Sequence, residues 1–193
     1  MKRILYALIA LFLIFCVTDY NSRLEKQYTF ADDKAKQDFL ETMIVNETDS
    51  DESVSTVISE LMLLPDDVWK DYFKNGGQVI ITKNFPVEDV VGTFSVKRIG
   101  HYTIYISPYY VKYAMLHEIG HYIEFIKSIE KDSDFIDCLS EQEKALNGVL
   151  NNSFYFEDNF EYFAEMFKLY FHNQLDPAEY PLTTTYIESL LPD

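Results

Sequence analysis

The chain has 193 residues, a formal net charge of −16, and 48% hydrophobic and 16% aromatic residues. That apolar content is ample for one globular core plus an extra segment. The acidity argues against nucleic acid and anionic membrane surfaces as partners, and is compatible with a cationic or neutral substrate.

Residues 1–18 open with Met1-Lys2-Arg3 and continue as an apolar run from Ile4 to Val17. A positive start followed by a short apolar stretch predicts an export signal. The run is short for a spanning helix, which needs about 20 residues. No clear small-residue cleavage site follows it, so an uncleaved signal anchor stays open. A membrane enters only if this segment is retained. Residues 19–52 are polar and acidic and read as a linker or spacer, with a short helix open around Phe39 to Val45. The globular domain is expected over residues 53–193.

Within that domain, residues 53–75 read as two helices, the second started by Pro65-Asp66-Asp67 and stopped by Asn75-Gly76-Gly77. Residues 79–82, 93–99 and 102–107 read as strands, the last two forming a hairpin near Gly100-His101. His101 is expected in that turn and not in a site. A strand edge there can pair with an extended peptide, because main-chain hydrogen bonding works on any sequence. A long buried helix is predicted over 108–130, with Ser107 as N-cap and Pro108 at its first position. Residues 131–156 read as loop-rich, with a helix open at 141–150. Residues 159–172 carry a strong apolar face of Phe160, Phe163, Ala164, Phe167, Tyr170 and Phe171. A last short helix is expected at 186–191, capped from Thr183 to Thr185. Of the two cysteines, Cys16 lies in the N-terminal run, so no disulfide within the domain is expected, and Cys138 reads as a structural thiol.

The chemistry concentrates in His117-Glu118-Ile119-Gly120-His121, which falls inside the predicted 108–130 helix. Two histidines four apart share a helix face and can reach one metal ion. Glu118, rotated off that face, suits a general base. Gly120 costs the helix about 1 kcal/mol relative to alanine, which predicts close approach of another backbone.

Catalytic zinc commonly has three protein ligands and one open position. A histidine following directly is absent here, since the corresponding positions hold Glu124 and Lys127. The third ligand must come from elsewhere, and Asn159-Phe160-Glu161-Tyr162-Phe163-Ala164-Glu165 supplies two carboxylates on one helix face. Glu161 is the favoured ligand, with Glu165 behind a ligand histidine. The competing arrangement is a capping box of Asp158 and Glu161, which would make Glu165 the ligand.

Leu116 to His121 followed by Glu161-Tyr162-Phe163-Ala164-Glu165-Met166-Phe167 resembles the anthrax-lethal-factor-type metalloprotease domain, a family that includes secreted bacterial Pro-Pro endopeptidases. The resemblance extends over about residues 54–193. It implies an α+β, zincin-like fold, mostly helical with a small sheet beside the motif helix. It implies one zinc ion per chain held by His117, His121 and Glu161, Glu118 as catalytic base, and Glu165 behind a ligand. It also implies a tyrosine shortly before the ligand glutamate that assists the oxyanion. The matching position holds Phe154, so Tyr155 takes that role only with a one-residue shift, and an ordinary exposed or core tyrosine is the alternative.

The function expected from these features is that of an exported zinc endopeptidase, secreted or held at a bacterial cell surface. It would cut extracellular proteins or peptides, with proline-rich sites as candidate substrates. Two rivals stand beside it. One is a non-catalytic surface module whose zinc is structural and which binds a partner protein. A structural site is normally closed by four protein ligands, and only three good ones are visible. The other is an immunity or regulatory protein that keeps the fold without metal.

Overall fold

The computed structural model describes residues 28–86, 90–147 and 158–191. The chain divides into two units, Met1–Asp38 and Phe39–Asp193. Asp32 of the first starts helix α1 (Asp33–Thr42), whose residues from Phe39 onward belong to the second, by accepting the Ala35 N–H at 2.9 Å. The second unit holds everything that follows.

Its sheet has the strand order β1-β2-β4-β3, with β1 Ile44–Asn46, β2 Gly77–Ile81, β3 Gly92–Arg98 and β4 His101–Ile106. The β1–β2 and β2–β4 pairs are parallel, and β3–β4 is antiparallel with Phe94 opposite Ile104. Alternation explains β2: Val79 and Ile81 are buried while Gln78 is exposed. Tyr102, Ile104 and Ile106 carry β4 into the core. The edge position falls to β3, whose residues are half-buried to exposed.

Helix α2 (Asp51–Leu61) is capped by Ser50, whose hydroxyl accepts the Ser53 N–H at 3.2 Å. Helix α3 (Asp66–Lys74) ends at Asn75, and Gly76 follows at φ +81, a left-handed conformation that favours glycine. The motif helix α4 (Val111–Lys127) buries Met115, Leu116, Ile119 and Tyr122 and ends at Ser128, itself left-handed at φ 53. It packs on β3 and β4, on α2, and most extensively on α6 (Asn159–Phe171). Helix α5 (Ser133–Asn147) packs on α7 (Pro181–Leu190). Among the described residues no helix is long and apolar enough to cross a membrane. Residues 1–27, which include the expected export signal, lie outside the described residues.

Four expectations need correction. Residues 39–52 belong to the second unit and not to a spacer, because β1 pairs with β2 and Ser50 starts α2. Helix α4 begins at Val111 and not at Pro108, because the Tyr110 N–H closes a turn on Ser107 O at 3.1 Å and the helical ladder starts with Ala114 N–H on Tyr110 O at 3.0 Å. Helix α5 starts at Ser133, well before 141, helped by Asp132, whose carboxylate accepts the Asp134 N–H at 3.0 Å. Helix α7 starts at Pro181 instead of 186, with proline at its first turn and no threonine cap. Its free N–H groups are met by buried Glu141 of α5, which accepts from Leu182 N at 3.0 Å and Thr183 N at 2.9 Å.

Candidate active site

The packing of α4 on α6 builds the site. Gly120 lies so close to Ala164 that a Cβ there would sit 2.7 Å from the Ala164 Cα. The backbone approach expected from that glycine is therefore present. Across this seam α4 presents His117 and His121, four residues apart, and α6 presents Glu161 and Glu165.

His117 Nε2 and His121 Nε2 are 3.1 Å apart. Glu161 Oε2 is 3.1 Å from the first, and Glu161 Oε1 is 3.6 Å from the second. Three donors at ordinary zinc bond lengths in tetrahedral directions would be separated by about 3.3 Å. The spacing therefore fits such an ion, and so does the donor chemistry of two imidazoles and one carboxylate. Among the described residues this is the one group of histidine, cysteine and carboxylate ligand atoms that close together.

Both outer imidazole nitrogens have acidic partners. His117 Nδ1 is 3.2 Å from Glu165 Oε2, and His121 Nδ1 is 2.8 Å from Glu124 Oε2. Such partners fix the tautomer, directing Nε2 toward a metal as an acceptor. Glu165 is in turn held by Lys168 Nζ at 2.6 Å. Asp158 caps α6 by accepting the Phe160 N–H at 2.8 Å, while Glu161 faces the histidines. The cap and the histidine-facing carboxylate are thus separate residues, and Glu161 occupies the inner place with Glu165 behind.

The electrostatics follow from crowding. Burial works against the charged form of His121, but Glu124 and Glu161 outweigh it and raise its pKa to about 10. His117 is raised in the same way, burial being overcome by Glu161 and Glu165. Glu161 is held well below the usual carboxylate range by the two histidines. Burial pushes Glu118 up, against the pull of the histidine charges. Glu118 is 5% exposed and faces β3, beside Gly92 and the backbone amide of Phe94. The site opens into a cleft of about 930 Å³ between β3 and α6, lined by Phe94, Val96, Tyr113, Phe125 and Phe160 among others.

Residues 87–177 match the family described as anthrax toxin lethal factor, N- and C-terminal domain. Over these residues the chain is similar to anthrax-lethal-factor-type metalloprotease domains. Among solved structures, a Pro-Pro endopeptidase from Paenibacillus alvei has a similar fold, with a TM-score of 0.60 at 14% identity. The similarity covers 79% of this chain and 99% of that one. No match is found among curated proteins. The fold is zincin-like, with a small sheet beside the motif helix as the resemblance implied.

Of the residues singled out from the sequence, His117, Glu118, His121, Glu161 and Glu165 come together in this domain. Tyr155 lies outside the described residues. His101 is exposed at the start of β4. Glu124 is the residue that sequence reasoning missed. It occupies a position inspected only for an absent histidine, yet its three-residue spacing from His121 was the available signal.

Proposed function

We propose that this chain is an exported zinc endopeptidase with His117, His121 and Glu161 as metal ligands and Glu118 as general base. The observation that carries it is the convergence of the two Nε2 atoms and the Glu161 carboxylate within 4.8 Å of one another, at the wall of an open cleft. Zinc held there would polarise the scissile carbonyl and acidify the attacking water. Glu118 takes a proton from that water and passes it to the leaving amine. Its buried setting favours the protonated form, which suits a group that must hold and then release a proton. Glu165 and Glu124 keep both imidazoles oriented.

The substrate is a protein or peptide, bound in extended form along the half-buried edge strand β3. Proline-rich sequence is the candidate specificity, supported by the fold shared with a Pro-Pro endopeptidase. Export is supported by the basic start and apolar run of residues 1–18, and places the enzyme outside the cytoplasm. No specific feature of the fold favours the non-catalytic module, because the fourth side of the ligand cluster faces the cleft.

The test is cleavage of a peptide library by the full chain with zinc, beside Glu118→Ala. Cuts made by the parent alone, with zinc bound to both proteins, establish the reading, and residues flanking the cuts report the specificity. Equal cutting by Glu118→Ala would remove Glu118 from its role.

A further inference from the structure

Glu118 is the base in the reading above, and the following rests on that assignment. Its carboxylate must be held at one place, and the hydrogen bond that favours its charged form comes from the backbone of β3. What meets it is the inner end of β3. A Cβ built on Gly92 would lie 2.7 Å from Glu118 Oε1, 3.3 Å from its carboxyl carbon and 2.9 Å from the Ala114 Cβ. Two residues on, the Phe94 backbone amide is turned to the same carboxylate and favours its charged form.

The backbone of Gly92 does not itself call for glycine. Gly92 pairs in regular antiparallel register with Ile106, and its φ is not in the left-handed region. Gly92 is the first residue of β3, and a glycine within a sheet often marks close approach by another group. Here that group is a carboxylate. We infer that Gly92 is a positioning residue: the side chain it lacks leaves the space in which the Glu118 carboxylate rests against β3.

An alanine at this position displaces Glu118 and also presses on the Ala114 Cβ, 2.9 Å away. The carboxylate is the far end of a rotatable side chain, whereas the Ala114 Cβ is fixed to its helix. Restoring ordinary contact moves Oε1 by roughly 1 Å. A displacement of that size at a reacting group can cost about a hundredfold in rate. The atoms nearest such a Cβ belong to Glu118 and Ala114 and not to the ligands His117, His121 and Glu161, so metal binding is spared.

The experiment compares the full-length parent, Gly92→Ala, Gly92→Ala with Ala114→Gly, and Glu118→Ala. It measures zinc content, melting temperature, kcat and KM on one cleaved peptide, and crystal structures of the zinc-loaded parent and Gly92→Ala. The expected result is one zinc per chain throughout, an unchanged KM, and a kcat lowered about 10- to 100-fold in Gly92→Ala. The Ala114→Gly partner relieves the helix contact, at the roughly 1 kcal/mol cost of a glycine within α4, and does not restore kcat. Parental kcat in Gly92→Ala overturns the inference, and so does recovery of kcat in the double variant, which would assign the loss to the helix. If the parent cleaves nothing, the protease reading fails, and the crystal structures decide this inference. A Glu118 carboxylate unmoved by the alanine refutes it; one displaced by roughly 1 Å upholds it.

Discussion

Gly120→Ala sets two effects of opposite sign against each other. In an isolated helix the change stabilises, by about 1 kcal/mol. In this fold the new Cβ would lie 2.7 Å from the Ala164 Cα, 3.2 Å from its Cβ and 3.3 Å from its carbonyl oxygen. Two of those atoms are backbone and cannot rotate aside, so α4 and α6 must separate. Overpacking of a close core typically costs about 1–3 kcal/mol, and a fixed backbone neighbour belongs at the upper end. The net effect is a loss of about 1–2 kcal/mol once the propensity gain is subtracted. For a chain of this size that lowers Tm by about 2–8 °C. The same separation carries Glu161 and Glu165 away from His117 and His121, so zinc affinity falls as well. The assay is thermal unfolding with and without zinc, alongside chelator competition. Adding Ala164→Gly removes the 3.2 Å neighbour but leaves the 2.7 Å one, so it rescues only part of the loss. A Tm equal to or above that of the parent would show that helix propensity wins and that the seam is looser than argued.

Three further outcomes follow from the site and its surroundings. Glu165→Gln weakens the orientation of His117 and lowers zinc affinity by about 10- to 100-fold without abolishing binding, as read by chelator competition; parental affinity would remove Glu165 from its supporting place. Zinc must displace the protons that raised pKa values keep on His121, near 10, and on His117, so zinc affinity rises at least about tenfold per pH unit between pH 6 and 8; titration calorimetry at several pH values checks the slope, and a flat profile contradicts it. Cys138 is buried and its thiol is pushed up to about 11, chiefly by burial, so mass spectrometry should find it unalkylated at pH 8 until the protein unfolds.

The legible parts of the fold are those whose signal is local. The histidine spacing, the helix α6 and the stop at Gly76 are each contained within a few residues and lie where the chain predicts, although the buried face of α6 is rotated: Phe163, Ala164 and Phe167 are buried as expected, but Phe160 is exposed and Tyr162, Met166 and Leu169 are buried instead. Gly120 is the most informative case, because a local cost correctly announced a distant backbone. The misread parts depend on partners far away in sequence. Strand β1 is three residues long and exists because Ile44 pairs with Val79, which no periodicity reveals. Helix α7 starts early because Glu141, some forty residues back, accepts its first N–H groups. Glu124 failed for a different reason: a motif template asked whether it was histidine, and a carboxylate on the outer nitrogen of His121 was not among the answers sought.

That same residue carries the last prediction. Glu124 is 3% exposed, and its Oε1 has no hydrogen-bond partner among the described residues. A buried carboxylate oxygen without a donor is costly when ionised, and burial accordingly raises the Glu124 pKa to about 7, against the pull of His121. His121 is raised at the same time, to about 10. Both shifts mean that the folded, metal-free chain holds more protons than the unfolded chain, so its stability declines as pH rises. For Glu124 the decline runs from its ordinary 4.5 up to about 7, where the folded carboxyl also ionises. For His121 the contribution is complete below its ordinary 6.5 and is lost as pH rises toward about 10. Glu124→Gln removes the first term outright and weakens the second, since Glu124 is one of the two carboxylates that raise His121. Denaturant unfolding of metal-free parent and variant at pH 5 and pH 8 should therefore show the variant losing less stability than the parent across that interval. An equal or steeper loss in Glu124→Gln would mean that the pair is not what stores protons beneath the metal site. The zinc-loaded proteins order the other way, because a glutamine supports the His121 ligand less well than a carboxylate does.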